Sequence, residues 1–130
     1  MTSMQNCEPA KTVIFVSGRR PEKAFEQEMN TRGVRVLWAD TIKAAAGFLN
    51  SEPEKTLVVT ELAVVDGNWR DLVERVGHLG RPIPIVLLAP TRTAELWWDA
   101  LECGVEDIVV GHLSPPRFLE LLQRNFTVQE

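Results

Sequence analysis

TLVVTELAVVDGNWRDLVERV, residues 56–76, is the stretch that decides how this chain folds. Thr56 to Leu62 is a continuous β-branched and aliphatic run, the pattern of a strand covered on both faces. Asp66-Gly67-Asn68 reads as turn chemistry alone. Beyond it Leu72, Val73, Val76 and Leu79 line one side of a helix. A buried strand, a short loop and an amphipathic helix, in that order, make the first part of a βαβ unit.

The same alternation continues in both directions. Lys11 to Ser17 (KTVIFVS) is a first strand, followed by a helix over Arg20 to Arg32 with Pro21 in its first turn and Gly33 at its stop. The inner face of that helix is thin: Ala24, Phe25 and Met29. Val34 to Ala39 is a second strand, and Ile42, Ala45, Ala46 and Leu49 fall at i, i+3, i+4, i+7 of a second helix. Pro82 to Ala89 is the fourth strand, with its prolines near the start, where a missing N–H matters least. Thr91 to Cys103 is a helix ended by Gly104, and Asp107 to Val110 is the last strand. Ser114 caps a final helix through Pro115, Phe118, Leu121 and Leu122.

Five strands alternating with five helices predict a flavodoxin-like three-layer α/β sandwich with one parallel sheet. Residues 1–10 read as a polar disordered tail, 11–126 as the domain and 127–130 as a second tail. In such sheets ligands meet the carboxyl ends of the strands. The segments to interrogate are therefore 17–19, 60–65, 89–91 and 111–114.

Composition excludes several classes. The chain has 130 residues, 45% hydrophobic and 25% charged, enough for one domain with a real core. No apolar run approaches the roughly 20 residues that span a bilayer, and the N-terminus lacks a signal peptide's apolar core, so a cytoplasmic location is expected. A net charge of −4 without a basic run argues against nucleic-acid binding. Cys7 and Cys103 read as free thiols. His78 and His112 have no ligand-spaced neighbours, so no metal site is expected.

Glu61 to Val76 resembles the stretch of a response-regulator receiver domain (CheY-like) in which a phosphorylatable Asp ends the third strand. Ala100 to Leu122 (ALECGVEDIVVGHLSPPRFLELL) is similar to the receiver's second signature, and the likeness runs from Lys11 to Phe126. It implies a two-component signalling module, with sites at stated positions. The two acids that hold Mg²⁺ fall at Ser17 and Gly18. The phosphoacceptor falls at Glu61, or with a one-residue shift at Thr60. The switch hydroxyl falls at Ala89, the Lys at Gly111, the Pro after it at His112 and the aromatic switch at Ile108. One hydroxyl cannot replace carboxylates around Mg²⁺, and phosphoryl transfer needs its charge neutralised. The expectation is a degenerate pseudo-receiver: no enzyme, no cofactor, no bound Mg²⁺ and no catalytic residue.

Glu61 reads as a solvated carboxylate without partners in preference to a mimic of phospho-Asp. Ser17-Gly18-Arg19-Arg20 is a weak anion cradle before a helix. Trp97 shares a face with Ala100, Leu101 and Gly104 and points inward. Trp98 points outward with Glu95 and Glu102 beside it, an interface anchor in preference to an incidental exposed ring. The resemblance places the partner surface on the fourth helix, fifth strand and fifth helix. A histidine kinase, an output domain or a second copy of the chain could dock there. Two other readings stay open: a small-ligand domain using the emptied pocket between Ser17, Glu61 and Ala89, and a divergent phosphoacceptor at Glu61, Thr60 or Asp66.

Overall fold

A computed structural model describes residues 11–51, 56–111, 114 and 116–120. The two predicted tails, with Cys7, His112, Pro115, Leu121 and Leu122, lie outside the described residues. Strands β1 (Lys11–Val16), β2 (Val34–Ala39), β3 (Thr56–Glu61), β4 (Ile85–Ala89) and β5 (Asp107–Val110) form one five-stranded sheet in the order β2-β1-β3-β4-β5. Every pairing in it is parallel. Helices α1 (Lys23–Thr31), α2 (Ile42–Ser51), α3 (Trp69–Gly77) and α4 (Ala94–Cys103) alternate with the strands, and residues 116–120 are helical (α5). The expected α/β architecture is present. No described helix is long and apolar enough to cross a membrane.

Strand periodicity divides the core. Val13, Phe15, Leu57, Val59, Val86 and Val109 face Met29 of α1 and Phe118 of α5. Ile14, Val16, Val58, Leu87, Ala89 and Ile108 face α2, α3 and α4 through Ile42, Leu49, Leu72, Val76 and Ala100. Successive side chains point to opposite faces, so a strand covered on both sides must be apolar throughout. That is why Val13 to Val16 and Leu57 to Val59 are unbroken apolar runs.

Several element ends differ from the sequence reading: β1 stops at Val16, not Ser17, α1 stops at Thr31, not Arg32, and α4 starts at Ala94, not Thr91. β4 starts at Ile85, not Pro82; Pro84 has no N–H to give the ladder, but its carbonyl accepts from Val58 N–H at 3.0 Å. α1 starts at Lys23, with Glu22 as an extended N-cap, so Pro21 lies before the helix, and Ala24 faces solvent. β3 stops at Glu61. The carbonyl of Leu62 instead accepts from Trp69 N–H at 2.9 Å, closing a small loop.

That loop is more built than a turn. Ala63–Val64 and Gly67–Asn68 pair antiparallel, with Val65 exposed at the tip. Asn68 caps α3 by accepting from Arg70 and Asp71 N–H, while Asp71 accepts back from Asn68 N–H, a capping box. Asp66 does more than turn the chain. Its two oxygens accept from Ile42 N–H at 2.8 Å and Lys43 N–H at 3.1 Å, which caps α2 from outside that helix.

Candidate functional site

The strand order reverses between β1 and β3, so the crevice lies at their carboxyl ends. Ser17, the first residue past β1, is buried, and each of its polar groups has a partner. Its N–H donates to Ala39 O at 3.0 Å, its hydroxyl donates to Arg19 O at 2.6 Å, and its carbonyl accepts from Trp38 Nε1 at 3.0 Å. The hydroxyl holds the backbone turn and is not offered to a ligand. The 17–20 segment therefore presents no anion cradle built on Ser17. Arg20 turns instead to Glu26 at 3.3 Å.

Glu61, the last residue of β3, sits on the α1 side of the sheet. Its Oε1 accepts from Gly18 N–H at 3.2 Å. This corrects the reading of Glu61 as a carboxylate without partners: it bridges the ends of β1 and β3. Thr60 is 2% exposed and lies on the opposite face with Val58, its hydroxyl donating to Glu61 O at 2.9 Å. Glu61, not Thr60, is the residue at the crevice.

The other aligned positions are small. Ala89 is buried at the end of β4, and its carbonyl accepts from Gly111 N–H at 2.9 Å. Gly111 has φ +80°, a left-handed conformation that disfavours a side chain. A Cβ built at Gly18 or at Gly111 would meet nothing within 4 Å among the described residues. A cleft of about 490 Å³ opens here, between the strand ends and α1. Phe15, Phe25 and Leu88 form its apolar wall, with Ser17, Glu61 and Gly111 at the strand ends; Ala89 does not line it.

Receiver chemistry implies Mg²⁺, and these residues do not fit it. The one carboxylate at the ends of β1 and β3 has an oxygen engaged by Gly18 N–H, and the nearest hydroxyl is engaged by Arg19 O. A hard octahedral cation needs more oxygen than that. Among the described residues no three His, Cys, Asp or Glu converge on a metal-sized site. His78 caps the end of α3 and is exposed. Asp66 has its pKa lowered, chiefly by the backbone N–H of Ile42 and further by that of Lys43, with burial opposing. Both of its oxygens accept from the first turn of α2.

On the far side of the sheet α4 is bounded by Thr93, which accepts from Leu96 N–H at 3.1 Å, and by left-handed Gly104. Leu96, Trp97 and Ala100 pack inward, and the Arg92 guanidinium lies 4.3 Å from the Trp97 ring centre. Trp98 is 63% exposed, as expected, with Glu95 and Glu102 also exposed. Leu101 is 47% exposed and does not join Trp97 on the inner face. A helix packed on one sheet buries a narrow stripe, and the i, i+3 pair Trp98 and Leu101 falls outside it. The Arg70 guanidinium pairs with Asp99, tying α3 to α4. Cys103 is a free, exposed thiol, as read from the sequence.

Sequence reasoning missed the Asp66 cap, the Glu61–Gly18 bridge, the Trp38 bond to Ser17 and the Phe15–Phe25–Leu88 wall. Each joins residues far apart in the chain, and no local pattern encodes them.

No family model and no curated protein matches this chain. Solved structures do. The non-phosphorylated HemR receiver domain of Leptospira biflexa superposes with a TM-score of 0.69 at 23% identity, covering 92% of this chain and 97% of that one. A response-regulator receiver protein from Pseudomonas putida gives 0.75 at 19% identity, over 89% and 98%. The chemotaxis protein CheY4 of Vibrio cholerae gives 0.72 at 16% identity, over 88% and 98%. With its β2-β1-β3-β4-β5 sheet clad by helices on both faces, this chain has the response-regulator receiver (CheY-like) fold.

Proposed function

We propose that this domain is a receiver-like signalling module of two-component type that works without phosphoryl transfer and acts by binding another protein. The observation that carries the reading is the Glu61 carboxylate held by Gly18 N–H, with Ser17, Ala89 and Gly111 around it. A phosphoacceptor needs a carboxylate free to attack, a metal to neutralise the incoming charge and a cation opposite it. Here one oxygen of the carboxylate is engaged by Gly18 N–H, a serine and a glycine stand where the acids would be, and a glycine stands where the cation would be. The module is accordingly not an enzyme and needs no Mg²⁺.

The output in this reading is the α4 face, where Trp98 and Leu101 stand exposed at i, i+3 beside Glu95 and Glu102. Tryptophan anchors are enriched among residues that dominate binding energy. A histidine kinase, an output domain or a second copy of the chain are the partners that the fold's neighbours bring to mind. The test of the chemistry is incubation with acetyl phosphate and Mg²⁺ followed by intact-mass measurement. An unchanged mass is expected; one added phosphoryl group would overturn the reading. Concentration-dependent sedimentation, repeated with Trp98→Ala, tests self-association.

A further inference from the structure

We propose that the cleft at the ends of β1, β3 and β5 binds a small hydrophobic amine, its apolar body against Phe15, Phe25 and Leu88 and its ammonium on the Glu61 carboxylate. The volume of about 490 Å³ lies in the range of small-molecule sites. Gly111 lines the cleft without a side chain, and a Cβ built there would meet nothing within 4 Å among the described residues. The wall is stiff: Phe25 packs edge-on against Phe15 at 5.9 Å and against Phe118 at 5.3 Å between ring centres. A preformed apolar wall loses little order when a ligand arrives.

Charge selects the ligand. Glu61 is the polar side chain at the strand ends with capacity left over, because Oε1 takes Gly18 N–H and Oε2 accepts nothing among the described residues. A carboxylate beside apolar surface favours a donor that carries positive charge. The rim does not reverse this preference. Its two guanidiniums, Arg19 and Arg20, face three lining carboxylates, Glu22, Glu28 and Glu61, and Arg20 is paired with Glu26. Glu28 is likewise paired, with Arg32 at 2.9 Å. Aromatic faces also attract cations, adding to the same preference.

This inference rests on the reading above only in taking the cleft to be without phosphoryl chemistry. Mass reports phosphate uptake and NMR reports amine binding, so the two fail separately. The experiment titrates the ¹⁵N-labelled chain with phenethylamine, 2-phenylethanol and 3-phenylpropionate, which share a ring and differ in charge. Dissociation constants on the order of 1 mM are expected for ligands this small, with the amine about tenfold tighter than the carboxylate. The shifts should centre on Gly18, Phe25, Glu61 and Gly111. Glu61→Gln should bring the amine to the alcohol's affinity while leaving the alcohol unchanged, with circular dichroism confirming the fold. Equal or tighter binding of the carboxylate, shifts centred elsewhere, or no saturable shift with any of the three would overturn the proposal.

Discussion

Replacing Gly67 by alanine tests whether the loop after β3 is held as tightly as its geometry implies. Gly67 has φ +156°, and an added Cβ would lie 2.7 Å from Asp71 Oδ2 and 2.7 Å from Ile42 Cδ1. Neither neighbour is free to move. Asp71 closes the α3 capping box through Asn68 N–H, and Ile42 is 4% exposed in the core with its own N–H on Asp66. Backbone strain at such a residue costs roughly 1–3 kcal/mol, and overpacking a fixed site costs about 1–3 kcal/mol more. The sum, about 2–6 kcal/mol, is a large share of the ~5–15 kcal/mol that holds a domain folded. Urea unfolding followed by tryptophan fluorescence should show the midpoint falling by about 1–3 M for a slope of ~2 kcal/mol/M. Gly18→Ala, whose Cβ meets nothing within 4 Å among the described residues, is the matched control and should change stability by less than about 0.5 kcal/mol. Equal stability of Gly67→Ala and the parent chain would refute the reasoning.

Other outcomes follow from the same contacts. Asp66 is held below its ordinary pKa of 3.8 by the Ile42 and Lys43 N–H groups, so its stabilising effect is full above that value and fades as pH falls through the lowered one. Asp66→Asn should therefore remove part of the acid sensitivity of the melting temperature between pH 5 and the acid limit, which melting scans across that range would show. Phe118→Ala removes a fully buried ring packed on Phe25 and should cost about 3–5 kcal/mol in urea unfolding. Arg70→Ala removes an exposed pair with Asp99 and should cost less than about 1 kcal/mol. Trp98→Ala, at a 63% exposed site, should leave folding within about 0.5 kcal/mol while weakening whatever assembly sedimentation detects.

The fold was legible where a local period sets burial. The i, i+3, i+4, i+7 run of α2 places Ile42, Ala45 and Leu49 in the core, and the unbroken apolar runs of β1 and β3 are central strands. It was less legible where a face is narrow. Ala24 and Leu101 are apolar and helical yet exposed, because a short helix on a sheet buries only the stripe in contact. The prolines before β4 looked tolerable inside a strand, but the ladder starts after them.

For the site, the sequence carried the identities at Ser17, Gly18, Glu61, Ala89 and Gly111 but not their bonds. The Glu61–Gly18 bond joins residues 43 positions apart, and the Asp66–Ile42 bond joins residues 24 apart. A carboxylate that looked stranded in the sequence is a strut between strands. Gly111 has a left-handed φ of +80°, so a Lys in its place would cost about 1–2 kcal/mol of backbone strain.

Trp38 offers the most direct check on the claim that this fold carries no receiver phosphate chemistry. Its indole Nε1–H donates to the carbonyl of Ser17, where the resemblance places a metal-binding acid. In ¹⁵N–¹H correlation spectra the Trp38 indole and the Gly18 amide both report on that spot. On addition of millimolar Mg²⁺ and then acetyl phosphate, both signals should stay in place. A saturable Mg²⁺-dependent shift of either signal, followed by a second shift with acetyl phosphate, would contradict the account.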